Sequence, residues 1–94
     1  MIKSYKDKRT ERFADGGLVK SFEAFSVAAE RKLAMLNDAE SLEDLRSIRG
    51  NHLEALKKDR AGQHSIRIND KWRVCFVWNT EEKCAEHVEI TDYH

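Results

Sequence analysis

Toward the C-terminal end of the chain, apolar residues return at every second position: Ile66 and Ile68, then Trp72, Val74, Phe76 and Trp78, then Val88 and Ile90. A period of two places each set on one face of an extended strand, so this half of the chain presents a single apolar sheet face that needs a cover. The first half supplies one. From Ser21 onward, Phe22, Phe25, Ala29, Leu33 and Leu36 recur at three and four, the spacing of one helix face, which predicts a helix running to about Asn37. Ile2 suits a short first strand, and Asp7 can cap a short helix through Phe13 that stops at Gly16-Gly17. Ser41 followed by Asp44 resembles a capping box, Leu42 and Leu45 continue the apolar stripe, and Gly50 stands where a C′ glycine belongs. The expectation is an α+β fold, with N-terminal helices packed on one face of a curved, mainly antiparallel sheet.

Size and composition narrow the possibilities. A chain of 94 residues, with 40% hydrophobic and 36% charged residues, no proline and no repeat, reads as a single domain spanning residues 1–94. The longest apolar run, Val74 to Trp78, falls far short of the roughly 20 residues of a membrane helix, and Met1 to Lys6 lacks the apolar core of a secretory signal. A cytoplasmic location is expected, with no membrane association. Cys75 and Cys84 could form at most one bridge, too little for a disulfide scaffold.

Strand register organises the polar face. If Asn69-Asp70-Lys71 is a three-residue loop, Ile68 meets Trp72 and Ile66 meets Val74; a slip by one would turn the apolar set outward. With Asn79 to Lys83 as the next loop, Trp78 meets Cys84, Val74 meets Val88 and Trp72 meets Ile90. Arg67 and Arg73 then stand opposite each other, a like-charge pair that costs up to ~1 kcal/mol unless an anion answers it. Two readings stay open: Glu89, expected opposite Arg73, neutralises the pair as a surface ion pair, or the pair awaits an anionic ligand. Thr91 and Tyr93 share the parity of Glu89, and Lys57 can reach the same face. Net charge is zero, yet residues 45–73 hold eight basic and three acidic residues, enough for a local basic site.

Other chemistry is thinner. Cys75 is expected opposite His87, with Ser65 beyond it, but no CxxC or HxxxH spacing supports a metal site. No oxyanion signature supports Cys75 as a nucleophile with His87 as base, so a structural thiol is favoured. His52 and His64 have no evident partners, and no phosphate-binding glycine loop or helix-turn-helix is visible.

The segment Leu53-Glu54-Ala55-Leu56-Lys57-Lys58-Asp59-Arg60-Ala61-Gly62-Gln63-His64-Ser65-Ile66-Arg67-Ile68, with Trp72-Arg73-Val74-Cys75-Phe76 and the ending Val88-Glu89-Ile90-Thr91-Asp92-Tyr93-His94, closely resembles HigB toxins of the RelE superfamily. Ile2 to Lys8 and Ala29 to Leu33 match as well, so the resemblance covers nearly the whole chain. It implies a RelE-like fold and a type II toxin that enters the ribosomal A site and cleaves messenger RNA there, using neither metal nor cofactor. The implied partners are the 70S ribosome, its mRNA and a HigA-like antitoxin with a helix-turn-helix domain, through which alone operator DNA is met. The implied catalytic positions are Lys57, Arg73, Asp92, Tyr93 and His94; the basic block itself, apart from the resemblance, offers Arg60 and Arg67 as RNA contacts. One departure stands out: some relatives carry histidine where this chain has Glu54, so no role is carried over there.

Those residue types suit the reaction. Cleavage must draw a proton from a 2′-OH, stabilise charge on a pentacoordinate phosphate and release a 5′-oxygen. Lys57 and Arg73 can stabilise the phosphate and Arg67 can position it; His94 titrates near neutrality; Tyr93 can act as base beside cations or stack on a nucleobase. Asp92, of opposite parity to Tyr93, orients its neighbours. Two rival readings are a ParE-like toxin that blocks DNA gyrase and an RNA-binding domain that cuts nothing. The first is disfavoured by Lys57, Arg73, Tyr93 and His94 occurring together, and the second is separable by cleavage assay.

Overall fold

The computed structural model describes residues 1–92; Tyr93 and His94 lie outside the described residues. Asp7, in extended conformation, accepts the Thr10 N–H on its carboxylate at 2.9 Å and so opens helix α1, Lys8–Ala14, as its sequence signal predicts. Ser41 likewise caps α3, Leu42–Arg46, by accepting the Asp44 N–H at 3.2 Å.

The expected helix from Ser21 to Asn37 is two elements, a 3-10 turn at Lys20–Phe25 and helix α2 at Ser26–Asp38. Phe25, at φ −129° and ψ 24°, breaks α geometry between them. With three residues per turn, Phe22 and Phe25 stack one above the other. Both rings then reach Trp72, at centroid distances of 5.7 and 4.9 Å, while Phe13 meets Phe22 edge-on at 5.5 Å. Packing of this aromatic group outweighs one-turn helical continuity. Gly50 also departs from expectation. Its φ of +91° is left-handed, but α3 ends at Arg46 with Ser47 as cap, so Gly50 serves the turn into the sheet rather than the helix C′ position.

Four antiparallel strands follow in the order β1-β2-β3-β4: Glu54–Ala55, His64–Arg67, Arg73–Asn79 and Cys84–Thr91. Ile2 and Tyr5 extend this sheet by isolated parallel bridges to Ala85 and Val88 of β4. A 3-10 turn, Lys58–Arg60, separates β1 from β2. The β2–β3 register is as expected, with Ile66 opposite Val74 and Arg67 opposite Arg73. The Asn69 side chain closes that loop by accepting the N–H groups of Lys71 and Trp72 at 2.9 and 2.8 Å.

The β3–β4 register is not as expected. Asn79 pairs with Cys84 and Trp78 with Ala85, whereas Val74 pairs with Ile90 and Arg73 with Thr91. The loop is one residue shorter than predicted, and β4 carries an extra residue between Glu86 and Glu89. His87 sits in this bulge at φ +52°, its N–H taken by Ser4 Oγ at 2.9 Å. The bulge lets Ala85, Val88 and Ile90 all turn inward, where they join Phe22, Leu33, Leu36, Leu45, Ile66, Val74 and Phe76 in one core beneath the helices. No helix among the described residues is long and apolar enough to cross a membrane.

Candidate active site on the polar sheet face

The observed register lays two rows of side chains across the face away from the helices. One row runs Glu54, Ser65, Cys75, Glu89; the next runs Arg67, Arg73, Thr91. The expected neutraliser is therefore displaced: Glu89 faces Cys75, and Thr91 stands opposite Arg73. Glu89 instead holds two cations from distant parts of the chain, Arg60 Nη1 at 3.1 Å and Lys6 Nζ at 3.5 Å. Arg60 also donates to Gln63 Oε1 at 3.1 Å, so its guanidinium is anchored to the strand end as well as to β4.

Arg73 is half-buried and bracketed by neutral acceptors. Its Nε donates to Ser65 Oγ at 2.8 Å and its Nη2 to the His52 carbonyl at 2.7 Å. Among the described residues no carboxylate pairs with it. Two of its five N–H donors are thus fixed without neutralising its charge, an arrangement that holds a guanidinium ready for an anion. Arg67 pairs with Asp70 in the β2–β3 loop; Asp70 is almost fully exposed, so the pair is screened and weak. Like-charge opposition of Arg67 and Arg73 thus persists on this face.

The remaining expected positions divide. Lys57 is exposed and precedes the 3-10 turn, on the wall of an open groove of about 520 Å³ lined by Glu54 to Arg60. Asp92 pairs with Lys71 Nζ at 3.6 Å, which ties the strand end to the β2–β3 loop. Tyr93 and His94, expected at the end of this face, lie outside the described residues.

Cys75 forms the floor of the site and is fully buried. Burial pushes its thiol up to about 11; Arg60, Arg73 and Lys6 pull the other way without prevailing, and Glu89 adds to the rise. A thiol protonated at neutral pH is no nucleophile. The pairing of Cys75 with His87 does not form, because the bulge puts His87 out of register and exposes it. Among the described residues no three His, Cys, Asp or Glu side chains gather as metal ligands do.

Sequence reasoning missed three contributors. Lys6 comes from the far end of the chain and carries no local signal. Ser65 has the parity of Arg67 and lies diagonal to Arg73, so strand alternation could have identified its role. The Asn51-His52 turn, whose carbonyl meets Arg73, has no periodic signature at all. His64 is a different case: it points to the core face and stacks on Phe76 at 6.2 Å, its Nδ1 buried without a hydrogen-bond partner among the described residues. Burial, aided by the Arg46 charge, lowers its pKa.

Residues 3–94 match the model of a family described as RelE-like toxin of the type II toxin–antitoxin system HigB. Toxin HigB-1 of Vibrio cholerae serotype O1 is 35% identical over 80 residues, which cover 83% of this chain and 84% of that protein. Two solved structures share the fold. A heterotetrameric YoeB–YefM toxin–antitoxin complex from Staphylococcus aureus matches with a TM-score of 0.61 at 18% identity, over all of this chain and 98% of the matched one. A second YoeB–YefM complex from the same organism gives 0.56 at 17%, with the same coverage. The helices over an antiparallel sheet, the cationic polar face and these matches converge: the chain belongs to the HigB toxins of the RelE-like family, the toxic component of a type II toxin–antitoxin system.

Proposed function

We propose that this chain is a ribosome-dependent endoribonuclease that cuts messenger RNA in the A site without a metal or cofactor. The observation that carries the reading is Arg73, fixed by Ser65 and His52 yet without a carboxylate partner among the described residues, on a face where Arg67 repels it and an anion would relieve both. A phosphodiester is such an anion. Arg73 grips the scissile phosphate and stabilises the charge that builds on it in the transition state. Lys57, exposed at the groove beside β1, adds a second positive charge, while Arg67 and Arg60 hold flanking phosphates.

Proton transfer falls to the chain end. His94 donates to the departing 5′-oxygen, and Tyr93 draws the 2′-OH proton or stacks on the neighbouring base. Asp92, tethered to Lys71, orients this segment rather than touching RNA. The whole chain acts as one domain in the cytoplasm, where ribosomes are. Its antagonist is a HigA-like antitoxin with a helix-turn-helix domain; family membership and the toxin–antitoxin pairs seen in the YoeB–YefM structures support a protein partner of this kind. The pair binds its operator through the antitoxin.

Primer extension on mRNA after brief expression tests the reading, with Arg73→Ala as the companion variant. Cuts that appear only on translated messages, vanish in Arg73→Ala and are suppressed by the antitoxin are the expected result. Uncut mRNA bound in a salt-dependent way points to an RNA-binding domain, and inhibited gyrase with intact mRNA points to a ParE-like toxin; either result overturns the proposal.

A further inference from the structure

Asn51 is fully buried, although it is polar and lies in a turn. All of its hydrogen-bonding groups are engaged. Its N–H donates to the Ile48 carbonyl at 3.2 Å, and its own carbonyl accepts the Arg67 N–H at 2.7 Å. Its side-chain Nδ2 donates to the Leu45 carbonyl at 3.0 Å, and Oδ1 accepts from Lys32 Nζ at 2.5 Å. One residue thus locks α2, the end of α3 and β2 together. The next residue, His52, adopts φ +46°, a left-handed conformation that a non-glycine side chain holds only when its surroundings impose it. In that conformation its carbonyl meets Arg73 Nη2.

We propose that Asn51 is the positioning residue of Arg73, acting through the His52 carbonyl to hold the guanidinium at the angle at which it meets phosphate. The inference rests on the proposed cleavage activity. Ser65 restrains only the Nε edge of the guanidinium, so among the described residues it is the His52 carbonyl that stops rotation about that hydrogen bond. The His52 carbonyl, in turn, has its direction set by a neighbour that cannot move without breaking four hydrogen bonds. Lys32 is drawn to Asn51 although Arg31 and Arg67 repel it, and burial and that repulsion lower its pKa. The Asn51 amide therefore holds an ammonium where the local field disfavours one, which a simple surface turn has no need to do.

A double-mutant cycle separates positioning from general stabilisation. Asn51→Ala is measured in the wild-type and Arg73→Lys backgrounds, since a lysine ammonium cannot span Ser65 and His52 together. Single-turnover cleavage on saturating programmed ribosomes is the readout, with ribosome affinity and thermal midpoint measured alongside. Expected is a loss of about tenfold in the wild-type background, with affinity unchanged, and less than about twofold in Arg73→Lys. The same factor in both backgrounds, or no loss in either, overturns the proposal. Where Asn51→Ala does not fold, Lys32→Met, which removes one of the four restraints from a helix surface, replaces it in the same cycle. Solvent exchange of the Arg73 Nε–H, followed by NMR, needs no activity: slow exchange in the wild type that becomes fast in the Asn51 or Lys32 variant supports the proposal, and unchanged exchange overturns it. A wild-type protein that cuts nothing refutes the ribonuclease reading alone, and the exchange measurement then decides the positioning role.

Discussion

Replacing Thr10 by valine keeps the shape of a fully buried side chain and removes a single acceptor. Thr10 Oγ1 takes the N–H of Ile90 at 3.1 Å, a bond that fastens α1 to the last core residue of β4. In the variant that N–H stays buried without a partner, at a cost of about 1–3 kcal/mol. The methyl that replaces the hydroxyl returns roughly 0.8 kcal/mol by apolar burial. The net expectation is a loss of roughly 0.2–2 kcal/mol, or a fall in the melting temperature of up to about 15 °C for a chain of this length. Thr10→Ser is the control, because it keeps the acceptor and loses only a methyl, worth about 1 kcal/mol or less. Urea unfolding followed by circular dichroism, with equal m-values, measures both. A Thr10→Val variant as stable as wild type or more stable, or a serine variant that loses much more than about 1 kcal/mol, refutes the reasoning. Because β4 leads directly into Asp92, cleavage by Thr10→Val should fall even at temperatures where the variant is fully folded.

Glu89→Gln removes the carboxylate shared by Arg60 and Lys6, so RNA affinity should rise at low salt and its logarithmic salt dependence should steepen; an unchanged slope in a filter-binding titration would show that neither cation meets phosphate. His64, with its folded pKa lowered, binds fewer protons folded than unfolded between the two values, so stability should hold above about pH 6.5 and fall as pH drops below it; His64→Leu should remove that part of the slope below about pH 6.5 in urea titrations. Deleting His94 should slow cleavage on the order of 10²-fold with antitoxin binding retained, and a normal rate would show that another group is the acid.

Local pattern made much of this architecture legible. The three-and-four stripe of Phe22, Ala29, Leu33 and Leu36 identifies the covering layer, because a helix face is determined by residues one turn apart. The β2–β3 hairpin was readable down to the opposition of Arg67 and Arg73, because a short loop and an alternating apolar set leave one acceptable register. The 3-10 turn at Lys20–Phe25 was not, since the ring of Trp72, distant in sequence, decides how Phe22 and Phe25 are spaced. Nor was the His87 bulge. A histidine at positive φ carries no composition signal, and the extra residue appears only when Ala85, Val88 and Ile90 must all reach one core. The shorter β3–β4 loop and that insertion each shift the register by one residue, and together they move Glu89 from Arg73 to Cys75, so that Arg73 loses its expected counter-ion. Residue types along the chain thus announce a cationic face, while the pairing of charges upon it is set by strand register and by contacts such as Lys6 with Glu89 and His52 with Arg73, which only three-dimensional closure brings within hydrogen-bond distance.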